Sequence, residues 1–201
     1  MNGAQAVRWN NNIHYHRRIL DAIPASARTA LDFGTGNGLL AADLHTRVPD
    51  VTGIDIDAAV LESARAEDPG VRWIQGDVMS HPFAPASFDV VASVATVHHL
   101  PDLDRALTRL AELTAPGGVL AVVGLAKSSE LIDFLYDLAG LAQQAGYKRR
   151  HGIWEHTAPT VWPPPHTYAD VRRSAVRVLP GRSWTRLAMW RYLVLWQKPA
   201  A

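Results

Sequence analysis

A short apolar run, Thr29 to Phe33, leads directly into Gly34-Thr35-Gly36-Asn37-Gly38, and Leu39 to Thr46 then carries a helical pattern. Strand, glycine loop and helix in that order constrain the chain more than any other feature. Glycines at alternate positions let the backbone take positive φ and approach a ligand closely. The helix start aims unsatisfied N–H groups and a positive dipole end at the same space. One strand later, Gly53-Ile54-Asp55-Ile56-Asp57 puts a carboxylate at the carboxyl end of a second strand. Open α/β sheets bind ligands at such ends. A carboxylate there can accept from both hydroxyls of a ribose. Asp57 is better suited to cap the next helix, because Ala58 begins it. A dinucleotide fingerprint requires G-x-G-x-x-G. Counted from Gly34, its third glycine would fall on Leu39, which weighs against a nucleotide-dependent oxidoreductase.

The rest of the chain alternates in the same way. Nearly continuous apolar runs at Thr29–Phe33, Val51–Asp55, Val71–Gln75, Phe88–Ser93 and Val119–Gly124 read as parallel strands buried on both faces. Between them lie helical patterns at Leu39–Thr46, Ala58–Ala66 and Leu103–Leu113. In the last, Leu103, Leu107, Leu110 and Leu113 make one apolar stripe, with Asp102 at its start. Alternation of this kind predicts an α/β doubly wound sheet.

The two ends depart from that rhythm. Trp9, Ile13, His16, Leu20 and Ile23 predict one helix over roughly Ala4 to Ala22, closed by Pro24. Ser129 to Ala145 predicts another, with Leu131, Leu135, Leu138 and Ala142 on a stripe. Tyr147 to Thr167 is rich in Pro, Trp and His, and Lys148-Arg149-Arg150-His151 reads as a solvated turn. Tyr168 to Ser174 suits a short helix. Ala175–Leu179 and Met189–Gln197 read as two closing strands, with Pro180-Gly181 opening the turn between them. The expected organisation is a single domain over 1–201: an N-terminal lid helix (1–25), a ligand-binding half (26–126), and a substrate side with a closing hairpin (127–201).

Composition excludes several classes. A formal net charge of +1 gives no basic field for a phosphate backbone, so a nucleic-acid partner is disfavoured. The chain has no cysteine, which removes disulfides, thiolate metal sites and thiol nucleophiles. No His/Asp/Glu cluster has metal-ligand spacing, so no metal is expected. No apolar run reaches the roughly 20 residues of a membrane span, and Met1 to Asn12 has no signal-peptide core. A cytoplasmic enzyme is the expectation. Oligomeric state is not legible.

The pattern from Asp32 to Gly38, with Asp55 one strand later, resembles motif I of the class I S-adenosylmethionine-dependent methyltransferases. The resemblance extends over about residues 26 to 197 and is strongest to the small-molecule branch that includes ubiquinone- and menaquinone-type enzymes. It implies a seven-stranded, mostly parallel sheet with an antiparallel last strand. It also implies S-adenosylmethionine as cofactor and in-line transfer of its methyl group to an O, N, S or C atom of a small-molecule acceptor. By resemblance, the cofactor residues are Asp32, Gly34, Thr35, Gly36, Gly38, Asp55, Ile56, Asp77, Val78 and Ser93. Among them Asp55 would bind the ribose, Ile56 would pack on the adenine, and Asp77 with the Val78 amide would meet the adenine's polar edge. Asp32 would order the loop.

Other residues keep two readings. His98 and His99 follow the fourth strand and are candidate general bases, since imidazole titrates near neutral pH. The structural alternative, in which one packs by the cofactor and the other binds backbone, is favoured, because alignment and desolvation can supply much of the acceleration. Trp9 and Tyr15 at the front, and Trp154 and Trp162 in the Pro- and Trp-rich segment, are candidate substrate-pocket walls; core packing is the alternative for each. His14 and His16 diverge on a helix and cannot share a metal; His16 reads as a core histidine. A catalytically silent S-adenosylmethionine-binding protein remains a competing function. A base-methylating enzyme is disfavoured, since Ser93-Val94-Ala95-Thr96 stands where such enzymes carry (Asp/Asn/Ser)-Pro-Pro-aromatic.

Overall fold

The computed structural model describes residues 8–154, 157 and 162–200. Seven strands form one sheet in the order β3-β2-β1-β4-β5-β7-β6. β1 (Thr29–Phe33), β2 (Asp50–Asp55), β3 (Arg72–Gln75), β4 (Phe88–Val94) and β5 (Thr114–Leu125) run parallel. β7 (Arg191–Gln197) lies antiparallel between β5 and β6 (Ser183–Arg186). The helices α2 (Leu39–His45), α3 (Ala58–Glu67) and α4 (Leu103–Leu113) fill the crossovers. Asp57 caps α3 through the Ala59 N–H, and Asp102 caps α4 through the Arg105 N–H, at 2.8 and 2.9 Å. One core face packs Leu31, Val91, Leu107, Leu110 and Leu120 under α4; the other packs Ala30, Leu40, Leu44, Val90 and Ala121 under α2. Both faces of the central strands are therefore buried, as their unbroken apolar runs require.

Three sequence expectations are corrected here. The long front helix is replaced, within the described residues, by an irregular stretch from Arg8, a 3₁₀ turn at Ile13–Tyr15 and the short α1 (His16–Leu20). Residues 4–7 of that expectation lie outside the described residues. The Asn10 side chain accepts from the N–H groups of Asn12 and Ile13, both at 2.9 Å, and this local turn displaces the helical ladder.

The closing hairpin is also shifted. Ala175 to Val178 continue α6 (Tyr168–Val178), so the first closing strand is β6, and the connection is Leu187 to Trp190 rather than Pro180-Gly181. A Thr167–Asp170 capping box starts α6. Val171, Ala175 and Leu179 then pack against α4, so a short apolar run that alternates locally follows the helical period instead. Met189 and Trp190 take φ of 54° and 58° in the hairpin turn.

The third correction concerns α5 (Leu131–His151), which runs six residues past Ala145 and absorbs Lys148-Arg149-Arg150-His151 as its last turn. Four basic side chains there suit the negative end of the helix dipole. Its apolar stripe faces outward: Leu131, Leu135 and Leu138 are 88%, 64% and 68% exposed. The helix docks through Asp133 and Gly140 instead. Asp133 accepts from the Ser129 and Glu130 N–H groups and lies 3.6 Å from the Arg186 guanidinium. A Cβ on Gly140 would sit 2.6 Å from the Met189 nitrogen, so only glycine lets α5 approach the hairpin turn this closely.

Candidate functional site

A cavity of about 630 Å³ opens over the carboxyl ends of β1, β2 and β4, extends to the β5–β7 edge, and is lined in part by the 3₁₀ turn at Val97–His99. The glycine loop forms its floor. The Gly34 and Thr35 N–H groups donate to the Ile54 carbonyl at 2.9 and 3.1 Å, which clips the loop onto β2. Gly34 has φ of 66°, and a Cβ there would lie 2.1 Å from the Thr96 side chain. The Thr96 hydroxyl donates to the Gly34 carbonyl at 3.1 Å, so the loops after β1 and β4 lock together at the cavity wall.

Two carboxylates organise this end. Asp55 accepts from the Gly36 N–H at 2.9 Å and from the Asp57 N–H at 3.0 Å, one on each oxygen. Each carboxylate oxygen keeps a further lone pair for a ligand hydroxyl. Asp32 is buried and accepts from the Thr35 hydroxyl at 2.6 Å. Burial raises its pKa to about 7, and the nearby Asp55 adds to the rise, while the Thr35 hydrogen bond opposes it.

The expected site residues divide by place. Asp32, Gly34, Thr35, Gly36, Asp55, Ile56, Asp77 and Val78 all line the cavity, as do His98, His99, Trp154 and Trp162. Ile56 is 71% exposed and stands free over the opening. Four expected residues lie elsewhere. Gly38 is buried at the start of α2, where a Cβ would meet the Trp73 ring at 2.6 Å and Ala64 at 2.8 Å; its role is to let α2 pass close to α3 and β3. Ser93 is buried within β4, paired with Val122, and the wall begins one residue later at Val94. Trp9 is core: its ring stacks on Tyr147 with centroids 5.3 Å apart. Tyr15 is core too, its hydroxyl donating to the Ala188 carbonyl at 2.9 Å. Both aromatics tie the front segment to the back half, which is a packing demand of the tertiary structure.

His98 is buried with its Nδ1 unpartnered among the described residues. Burial lowers its pKa to about 3, with the cationic forms of His99, Arg191 and His166 adding to the effect. It is a neutral imidazole at physiological pH. His99 is largely exposed, its ring 4.2 Å from that of His98, and partial desolvation lowers its pKa as well, opposed by the Asp55 carboxylate. His16 is buried with Nδ1 2.7 Å from an Asp43 carboxylate oxygen, as a satisfied core histidine would be, yet it also reaches the cavity wall.

Sequence reasoning missed Arg191, Asn12, Ile13 and Leu125, which close the far end of the cavity. Arg191 had a signal. It is the single charged residue in the apolar run from Leu187 to Trp196, and an arginine in such a run asks for a reason.

The comparisons with known proteins agree with this geometry. A methyltransferase-domain family model matches residues 31–122. An uncharacterized methyltransferase of Mycobacterium tuberculosis is 42% identical over 193 residues, which is 95% of this chain and 98% of that protein. The chain belongs to the class I S-adenosylmethionine-dependent methyltransferases. S-adenosylmethionine is the cofactor of this methyltransferase, and the nucleotide-dependent oxidoreductase reading is excluded. The trans-aconitate 2-methyltransferase of Deinococcus radiodurans is 37% identical over 127 residues, covering 57% of this chain and 48% of that protein. The methyltransferase also shares its fold with the geranyl diphosphate C-methyltransferase of Streptomyces coelicolor, solved with S-adenosylhomocysteine, at a TM-score of 0.66 and 12% identity over 92% of this chain and 79% of the other. Among the described residues no group of His, Asp or Glu is placed to hold a metal ion, and no helix is long and apolar enough to cross a membrane.

Proposed function

We propose that this methyltransferase acts on a small-molecule acceptor, with the cofactor over β1, β2 and β3 and the acceptor over β4, β5 and β7. One observation carries the reading: a single continuous cavity joins the glycine loop and Asp55 at one end to His98 and Arg191 at the other. Among the described residues its walls hold one arginine and no lysine, which suits a small acceptor better than a nucleic-acid backbone. In the organisation we propose, residues 26–126 bind the cofactor, while 1–25 and 127–201 shape the acceptor side.

The cofactor supplies a methyl group already activated on a sulfonium. The chain's own residues bind and align. Asp55, fixed by two backbone N–H groups, accepts the ribose hydroxyls on its remaining lone pairs. Ile56 covers one adenine face, and Asp77 with the Val78 N–H reads its polar edge. Asp32 holds Thr35 and through it the loop. His98 acts by position rather than as a strong base, because its protonated form is so disfavoured. Orientation and exclusion of water then carry most of the acceleration.

Calorimetric titration with S-adenosylhomocysteine, with NADH as control, tests the cofactor half. Asp55→Ala is expected to weaken S-adenosylhomocysteine binding at least a hundredfold while the unfolding midpoint changes little. Unchanged affinity would remove the ribose assignment. Turnover of His98→Ala within about a thousandfold of wild type, the span of general acid–base catalysis, is expected; a larger loss would make His98 a base.

A further inference from the structure

Arg191 is buried, 7% exposed, at the start of β7, and it faces the cavity. Its Nε and one terminal nitrogen donate to the Asn12 side-chain oxygen at 3.2 and 2.7 Å, and the other terminal nitrogen donates to the Met189 carbonyl at 3.0 Å. These bonds engage three of the five N–H groups that a guanidinium carries. Both acceptors are neutral. No carboxylate among the described residues pairs with it, whereas Arg186, next to the same turn, has Asp133 and Asp137. Burial lowers the Arg191 pKa only to about 10, so it remains a cation at neutral pH. A buried, uncompensated cation is unfavourable and normally finds a counter-charge.

The position of Arg191 says which molecule brings that charge. It pairs with Leu125 at the carboxyl end of β5. In the strand order β1-β4-β5-β7 it stands three strand spacings from the glycine loop, about 14 Å at about 4.8 Å each. The cofactor residues proposed above sit over β1, β2 and β3, on the other side of β4. The wall around Arg191 contains Ile13, Leu125 and the neutral His98, with Trp162 lining the same cavity. One cation in apolar surroundings matches one negative charge, and two remaining N–H groups match the two oxygens of a planar carboxylate. A phosphate dianion would need a second cation, and among the described residues the cavity wall has no other arginine or lysine.

We propose that the acceptor of this methyltransferase is a small carboxylic acid, and that Arg191 holds its carboxylate. The inference rests on the small-molecule reading above and names the class of molecule. Asn12 and the Met189 carbonyl fix the guanidinium in place, and the bound carboxylate completes its donor set. A carboxylate engaged in this way anchors the acceptor and presents another atom of the molecule to the methyl group. Lysine would keep the charge and lose the fork.

The test is calorimetric titration of the S-adenosylhomocysteine-saturated protein with benzoate, benzamide and inorganic phosphate. Benzoate is expected to bind at least tenfold more tightly than either of the others. Arg191→Met is expected to abolish that preference, and Arg191→Lys to reduce benzoate affinity about tenfold; neither should change S-adenosylhomocysteine affinity by more than threefold. Circular dichroism checks folding, and should Arg191→Met not fold, Arg191→Lys carries the test. No preference for benzoate over benzamide, or a preference that survives removal of the guanidinium, overturns the proposal. Tighter phosphate binding overturns the carboxylate assignment. A parallel loss of S-adenosylhomocysteine affinity in both variants also overturns it, because the guanidinium would then serve the cofactor. A methyl-transfer assay on small acids separates the two readings: arginine-dependent benzoate binding without turnover supports the anchor and counts against the small-acceptor function alone.

Discussion

The two ends of the cavity are built by different means. Over β1 and β2 the wall is backbone: amide groups of a glycine loop, clipped to the Ile54 carbonyl and to Asp55 within a span of about one βαβ unit. Over β5 and β7 the wall is side chains from distant parts of the chain, with Asn12 at one end of the sequence meeting Arg191 near the other. The first end, which we propose holds the cofactor, is shaped mainly by backbone groups that every residue has, with Asp55 fixed among them. The second is assembled by packing, and its chemistry can change with a few side chains. A shared cofactor and divergent acceptors are what such a division allows.

The largest effect expected from breaking this comparison is at the backbone end. Gly34→Ala combines a left-handed φ with overlap against Thr96, and should cost about 2–4 kcal/mol in urea unfolding. Adding Thr96→Gly should recover the overlap and leave the conformational strain of about 1 kcal/mol. A fully tolerated Gly34→Ala would mean that the loop is not locked to the β4 end.

The next effect depends on pH. Asp32 titrates at about 7 when folded and at about 3.9 when unfolded. Its contribution to stability is therefore fully present below about pH 4 and is lost as pH rises through 7. Wild type should lose of the order of 4 kcal/mol relative to Asp32→Asn between pH 4 and 8, at about 1.4 kcal/mol per pH unit. Denaturant unfolding of both proteins at several pH values reads it. Parallel curves would show that Asp32 ionises normally. At the other end Arg191 stays charged across this range, while His98, its pKa held at about 3 when folded, gives a step of opposite sign that is common to both proteins and cancels in their difference.

The smallest effects compare the two faces of α5. Gly140→Ala should lower stability by about 1–3 kcal/mol through overlap with Met189, whereas Leu135→Gln on the exposed face should stay within about 0.5 kcal/mol. Thermal unfolding compares them. A larger loss from Leu135→Gln would mean that the exposed stripe is covered in solution.

The same contrast separates what was legible in the sequence from what was not. β1 and α4 match their expected limits, and the glycine loop and Asp55 could be read from residue types at short spacing. Local chemistry sufficed there: φ permission, caps and unbroken apolar runs act within a few residues. The hairpin, α5 and the front segment resisted because their apolar periodicity is ambiguous over short windows. Ala175 to Val178 needed packing against α4 to continue the helix that Tyr168 begins, and Leu131, Leu135 and Leu138 follow a helical stripe that the fold leaves outside.

By itself the sequence determined the α/β alternation, the parallel core and the glycine-loop end of the cavity, because each depends on contacts between near neighbours and on backbone geometry. Only the tertiary structure decided which side chains close the far end of the cavity. Gly140 brings α5 against the hairpin turn, that turn holds Arg191 on the cavity wall, and Asn12 meets it from the opposite end of the chain. Those choices are made by packing across more than a hundred residues, where no local pattern carries the information.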